Sequence, residues 1–209
     1  MKIEKIETSK HRQERILVYL EGGDLLRITQ SELLHFGLYA GLDLDGETVV
    51  ELRKSAARSE TRTRAANMIS ARPLSKKELS GKLRAKGASE EDAAAAAGWL
   101  EEIGALDDAA YAAMLVRHYS AMGYGEGRLR DELYRRGVPK DLWDEALAAA
   151  PEAEKVLERV IAQKTGGRPV DEKGRRRLCD MLLRRGFSWR DVKAAMNKTG
   201  ETIEEQADG

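Results

Sequence analysis

The sequence predicts a mainly α protein: tandem three-helix repeats forming an elongated, curved array, preceded by a short β-hairpin-like segment. Three observations predict it. Charged residues make up 34% of the 209-residue chain and aromatics 5%, a balance that suits surface-rich helices better than a sandwich or barrel. A basic phrase closed by glycine recurs, as KELSGKLRAKG at 77–87, GRLRDELYRRG at 127–137 and RRRLCDMLLRRG at 175–186. The first 28 residues differ from the rest: KIEKIE, ERILVYL and DLLRIT, parted by polar turns including EGG, read as two or three short strands.

From there the elements follow in order. Thr29 with Glu32 makes a capping box that opens a helix through SELLHFG, and Gly37 and Gly41 stop it. A long helical run covers 46–71 and breaks at Arg72-Pro73, because proline disfavours helical geometry in the residue before it. Ser75 and Glu78 form a second box whose helix closes at Gly87, and Ser89 caps a helix over 90–103. Asp107 starts the next, DAAYAAMLVRHYSAM. GYGEG reads as a flexible interhelical turn leading into the second phrase, which stops at Gly137; Pro139 suits a helix start. Helices at 152–164, 172–185 and 189–198 follow, and the acidic ETIEEQADG is expected to fray. The division this implies is a strand-and-helix segment over 1–57, repeats at 58–106, 107–150 and 151–200, and an acidic tail at 201–209.

Aligning the phrases on Gly87, Gly137 and Gly186 places Leu79, Leu129 and Leu178 eight residues earlier, and Leu83, Leu133 and Leu182 four earlier. Spacing of four puts each pair on one helix face. Ala93, Trp143 and Val192 fall six beyond the glycines, and Ala97, Leu147 and Met196 ten beyond. The period is 50 and then 49 residues, room for three helices each, and stacked units share a core that one unit cannot build alone.

The formal net charge is zero, yet it is unevenly placed: −3 over 1–50, +5 over 51–100, −4 over 101–150, +6 over 151–200 and −4 in the tail. Basic blocks of this kind suit phosphates or an acidic protein surface, although most charge runs are simply solvated faces. Bases in a last helical turn also favour the helix dipole, by roughly 0.3–1 kcal/mol each. That accounts for one or two cations per helix, whereas Arg128, Arg130, Arg135 and Arg136 share one short helix and Arg175, Arg176, Arg177, Arg184 and Arg185 another. Ala85, Arg135 and Arg184, two before each glycine, lie away from the leucine seam and are expected to face solvent.

Catalytic constellations find no support. His11, His35 and His118 lie in different segments with no metal-ligand spacing, and Cys179 beside Leu178 reads as a half-buried, inert thiol. GYGEG matches neither dinucleotide nor P-loop spacing, and DLDGE at 43–47 fails as a calcium loop because its twelfth position is Lys54. Asp107 and Asp108 read as N-cap and first-turn acid. The expectation is no enzyme, no cofactor and no metal. A single cysteine suits a reducing compartment, no apolar stretch approaches about 18 residues, and MKIEKIETSKHRQER is too charged for a secretory signal, so a cytoplasmic protein without membrane contact is expected.

Residues 72–147 resemble the RecX family of RecA regulators. The first matching piece, R-x-x-S-x-x-E-L-x-x-K-L-x-x-K-G, is met by Arg72, Ser75, Glu78, Leu79, Lys82, Leu83, Lys86 and Gly87. The second, G-x-[LI]-[DN]-D-x-x-[YF]-A, is met by Gly104, Leu106, Asp107, Asp108, Tyr111 and Ala112. The third, R-[IL]-x-x-E-L-x-x-[KR]-G, is met by Arg128, Leu129, Glu132, Leu133, Arg136 and Gly137. Departures are the alanine-rich helix after Ser89 and the extra glycine of GYGEG.

The resemblance implies a non-enzymatic helical modulator, a monomer. It would lie along the RecA–single-stranded DNA filament and restrain ATP hydrolysis, strand exchange and cleavage of the SOS repressor. Alternatives are an independent DNA-binding helical module, or a generic helical-repeat scaffold. Contact candidates for RecA or single-stranded DNA are Arg128, Arg130, Arg135, Arg136, Arg176, Arg177, Arg184 and Arg185, with Lys82, Lys86 and Arg117 in reserve.

Overall fold

Alternation of apolar and polar residues makes the start of the chain a sheet, as seen in a computed structural model that describes residues 1–10 and 15–198. Strands β1 (Ile3–Thr8), β2 (Ile16–Leu20) and β3 (Leu25–Ile28) form an antiparallel sheet in that order, with Val18 opposite both Ile6 and Leu26. Ile3, Val18, Leu20 and Ile28 are fully buried against α1 (Gln30–His35) and the first half of α2 (Gly46–Ala71). The Thr29–Glu32 capping box forms at α1, and Asp45 caps α2 by accepting the Thr48 N–H at 2.7 Å.

A helix of α2's length, about 39 Å by its rise, serves two cores. Its Val49, Leu52 and Ala56 pack on the sheet, while Ala65, Met68 and Ile69 pack on α3 (Lys76–Ala85) and α4 (Glu90–Glu102). Residues 57 and 58 lie in mid-helix. Arg15 stitches the sheet to the middle of α2: it is 6% exposed and donates to Ser59 Oγ at 3.1 Å and Thr63 Oγ1 at 2.9 Å. Glu32, 8% exposed, accepts from Ser55 Oγ at 2.7 Å, Thr29 N at 2.7 Å and Ser59 Oγ at 3.2 Å. Burial alone raises its pKa, but these bonds outweigh burial and hold the carboxyl below the usual range.

The chain divides into two compact units, Met1–Leu106 and one beginning at Asp107. In the second, α5 (Asp108–Ala121), α6 (Glu126–Arg135), a 3₁₀ turn (Lys140–Leu142) and α7 (Trp143–Ala148) enclose Tyr111, Leu115, Val116, Leu129, Leu133 and Ala146. Next come α8 (Ala153–Thr165), α9 (Glu172–Arg184) and α10 (Trp189–Lys198), around Leu157, Val160, Leu178, Leu182, Val192 and Met196. The mainly α, tandem three-helix class predicted from the sequence holds, and the leading segment is a three-stranded sheet rather than a single hairpin.

The seam is visible in each repeat. Leu79, Leu83, Leu133 and Leu182 are fully buried, with Leu129 and Leu178 nearly so. The three closing glycines have φ of +91°, +69° and +87° at Gly87, Gly137 and Gly186. The residue after each donates its N–H back to the seam leucine: Ala88 to Leu83 O, Val138 to Leu133 O, Phe187 to Leu182 O. This is one C-terminal cap repeated three times, which only glycine adopts without strain. The acidic tail at 201–209, expected to fray, and His11 lie outside the described residues.

Candidate interaction surface

Because α6 buries Leu129 and Leu133, its bases leave the core on the opposite side, but they do not all end in solvent. Glu132 turns inward, its side chain 3% exposed. It accepts from Tyr119 Oη at 3.1 Å and Arg135 Nη1 at 2.8 Å, and pairs with Arg128 Nη2 at 2.9 Å. A buried carboxylate is tolerable only when its oxygens are satisfied, so Arg128 and Arg135 are held in part by folding. Arg130 is exposed and pairs with Glu126 at 2.8 Å, four residues back, with Asp144 at 3.7 Å. Arg136 is half-buried.

On α9 the pattern differs. Arg176 pairs with Glu172 at 2.5 Å, both exposed, and Arg184 Nε donates to Asp180 O at 3.1 Å. Arg177 is exposed. Arg185 is turned inward: Nη1 donates to Met122 O at 3.3 Å and Gly123 O at 3.2 Å, with the guanidinium 5.6 Å from the centre of the Tyr124 ring. Arg128 sits 5.9 Å from the same ring. Of the reserve positions, Lys82 lies 3.9 Å from Glu78, and Lys86 and Arg117 are exposed.

GYGEG, expected as a flexible interhelical turn, joins α5 to α6 and is hydrogen-bonded and packed against the third repeat. The Gly125 N–H donates to Arg185 O and the Gly127 N–H to Gly186 O, both at 2.9 Å. A Cβ on Gly125 would meet the Gly186–Phe187 backbone at 2.6 Å, and one on Gly186 would meet Arg128 N at 2.2 Å. The glycines are there because two backbones touch. Arg159 of α8 adds bonds to Ser120 O at 3.0 Å and Ala121 O at 3.1 Å. A groove of about 370 Å³ opens beside it, lined by Ala121, Ala149 and Val156 together with Arg117, Lys155 and Arg159.

The family-like motif residues are explained mostly by folding. Arg72 pairs with Glu78 at 2.5 Å, Ser75 Oγ accepts the Glu78 N–H at 3.0 Å, and Asp107 accepts the Ala110 N–H at 2.9 Å. Tyr111 is 6% exposed. His118 is exposed against the edge of Tyr119, and Cys179 is buried. Among the described residues no three His, Cys, Asp or Glu side chains are grouped to hold a metal ion, and no helix is long and apolar enough to cross a membrane.

Exposed ion pairs such as Arg130–Glu126 and Arg176–Glu172 are worth roughly 0.2–1 kcal/mol, so an anionic partner displaces them at little cost. Apart from Arg135, held on Glu132, exposed bases of the predicted set are Lys82 and Lys86 in the first unit, and Arg117, Arg130, Arg176, Arg177 and Arg184 in the second. Exposed residues absent from the predicted set are Tyr134 on α6, at 70% exposure, Lys173 on α9, and Arg190 on the following helix α10. Helical periodicity around the seam leucines was the signal that could have found them.

Comparison with known proteins follows the repeats. Residues 62–100 match the model of the RecX first three-helix domain, and residues 107–147 that of its second. Regulatory protein RecX of Stenotrophomonas maltophilia (strain R551-3) is 37% identical over 160 residues, covering 72% of this chain and 94% of that protein. Regulatory protein RecX of Xanthomonas campestris pv. campestris (strain B100) is 36% identical over 134 residues, 63% of this chain and 83% of that one. A crystal structure of regulatory protein RecX superposes with a TM-score of 0.71 at 24% identity, over 94% of this chain and 98% of that one, a likeness of fold.

Proposed function

Since this chain belongs to the RecX family of regulatory proteins, we propose that it binds the RecA–single-stranded DNA filament and restrains it. The restrained activities are ATP hydrolysis, strand exchange and the co-protease activity that drives the SOS response. It acts by binding and not by chemistry, as a cytoplasmic monomer without a cofactor. The observation that supports this reading is the recurrence of exposed bases on or just after the second helix of each repeat, in one leucine–glycine frame: Lys82 and Lys86, Arg130, and Arg176, Arg177 and Arg184.

A filament presents the same surface many times, so several weak cationic contacts on one chain add through effective concentration. Single-stranded DNA within the filament offers phosphates to the same bases, and binding then weakens with salt. The test is a titration of RecA ATPase on single-stranded DNA. Inhibition at or below one chain per RecA is expected. Full activity across that range removes the reading.

A further inference from the structure

Each repeat joins its second and third helices by a glycine turn, the layout of a helix-turn-helix unit. The helix that would enter a DNA groove is then the third, and in two repeats it has the wrong charge. In α4 the charged residues are Glu90, Glu91, Asp92, Glu101 and Glu102, with no base. In α7 they are Asp144 and Glu145. Phosphates repel such helices. By contrast α10 carries Arg190, Lys193 and Lys198 against Asp191 alone. Its buried side is Val192, Ala195 and Met196, which leaves Arg190, Ala194 and Asn197 on the opposite, exposed side. The Arg190 side chain is 92% exposed, its Nε 3.5 Å from Asp191 Oδ1.

The helix before it adds the complementary feature. Lys173, Arg177 and Arg184, spaced four and seven residues apart, share the outer face of α9 with one acid, Asp180. A four-residue turn from Arg185 to Ser188, with Gly186 at φ +87°, connects the two helices. Ser188 Oγ accepts the Asp191 N–H at 3.1 Å, fixing the start of α10.

We infer that the α9–α10 pair of the third repeat is a duplex-DNA docking surface, with α10 entering the major groove and the outer face of α9 lying along the phosphates. The dimensions agree: an α-helix with its side chains is about 10–12 Å across, and the major groove is about 12 Å wide. Arg190 and Asn197 have the donor chemistry that reads base edges, and Ala194 is small enough to let the helix approach. A single strand is the poorer fit, because strand-binding surfaces stack successive bases on aromatic side chains. Here Trp189, 46% exposed, is the aromatic at the helix start. This inference shares Arg177 and Arg184 with the filament reading, but it rests on α10 as well and needs no RecA, so a test without RecA separates the two.

Fluorescence anisotropy of the full chain with a labelled 20-base-pair duplex, and with one of its strands, tests it across about 50–200 mM salt. The duplex is expected to bind more tightly than the strand, with affinity falling steeply as salt rises. Arg190→Glu and Arg177→Glu are each expected to weaken duplex binding by about tenfold or more. Arg84→Glu, on the outer face of α3 beside the acidic α4, is expected to change it less than about twofold. Should Arg190→Glu disturb the helical circular dichroism, Arg190→Gln keeps the size and loses the charge; a loss of about threefold or more is then expected. Stronger binding to the strand, equal losses for Arg84→Glu and Arg190→Glu, or no duplex binding at the lowest salt would each overturn the inference.

Discussion

Replacing Gly186 with alanine separates the two roles of the closing glycines. At Gly87 a Cβ would find open space, so Gly87→Ala carries only the strain of φ +91°, about 1–2 kcal/mol. Gly186→Ala carries similar strain at φ +87° and also drives its Cβ to 2.2 Å from Arg128 N and 2.8 Å from Arg128 Cβ. Backbone at that distance cannot yield without moving the junction. Moving it loses the bonds from Gly125 N to Arg185 O and from Gly127 N to Gly186 O, each worth about 0.5–1.5 kcal/mol. Gly186→Ala is therefore expected to destabilise its unit by about 2–5 kcal/mol, roughly one to three more than Gly87→Ala does its own.

Urea unfolding followed by tryptophan fluorescence reads both units, since Trp99 lies in the first and Trp143 and Trp189 in the second. Hydrogen exchange at the Gly125 and Gly127 amides reads the junction directly. Equal costs for the two substitutions, with both amides still protected, would refute the backbone-contact argument. Gly127→Ala provides a milder check if Gly186→Ala does not fold. Its Cβ meets Gly186 O at 3.2 Å, so the usual gain of about 1 kcal/mol for alanine over glycine within a helix should be largely cancelled.

Arg185→Ala should destabilise the second unit by about 1–2 kcal/mol, read in the same urea series, because it strips the Met122 and Gly123 carbonyls of their donor. Reversing charge at Arg130, Arg176, Arg177 and Arg184 together should leave the urea midpoint nearly unchanged. In the RecA ATPase titration it should raise the concentration for half-inhibition at least about tenfold; an unchanged titration would remove these residues from the working surface. Glu32, with its pKa lowered by folding, contributes stability that is present above the unfolded carboxylate pKa and lost as pH falls through the lower folded value. The unfolding free energy of the first unit should therefore drop on acidification below about pH 4.5, and less so in Glu32→Gln. Parallel pH curves for the two proteins would count against the network.

The helices were legible because their start and stop signals are local. Ser75, Ser89 and Asp107 accept the N–H three residues on, and Gly87, Gly137 and Gly186 take positive φ, so boundaries fall within a residue or two of those read from the chain. GYGEG was misread because its glycines answer to a backbone about sixty residues later in sequence, a contact that leaves no local trace. The arginines show the same limit. Composition reveals the cluster, but only the fold shows that Arg185 points at carbonyls of another repeat and that Arg128 and Arg135 lean on a buried acid.

The fate of an arginine here depends on its neighbour in the repeat frame. Nine residues before the closing glycines stand Glu78, Arg128 and Arg177; five before stand Lys82, Glu132 and Met181. Arg128 is drawn to Glu132, whereas four residues beyond Arg177 lies Met181, which packs on the core and offers no charge. Glu132→Met would write the third repeat's residue into the second. Arg128 and Arg135, 37% and 64% exposed, can turn to water when the acid goes, so the change should cost about 1–2 kcal/mol, chiefly the Tyr119 hydrogen bond. Glu132→Ala, which leaves a cavity as well as unpaired donors, should cost about 2–4. The methionine variant would also release Arg128 and Arg135 to solvent. RecA inhibition should then set in at lower concentration and become more sensitive to salt. Loss of more than about 3 kcal/mol in Glu132→Met would show that the carboxylate anchors the repeat itself, and that its arginines belong to the fold before they belong to any partner.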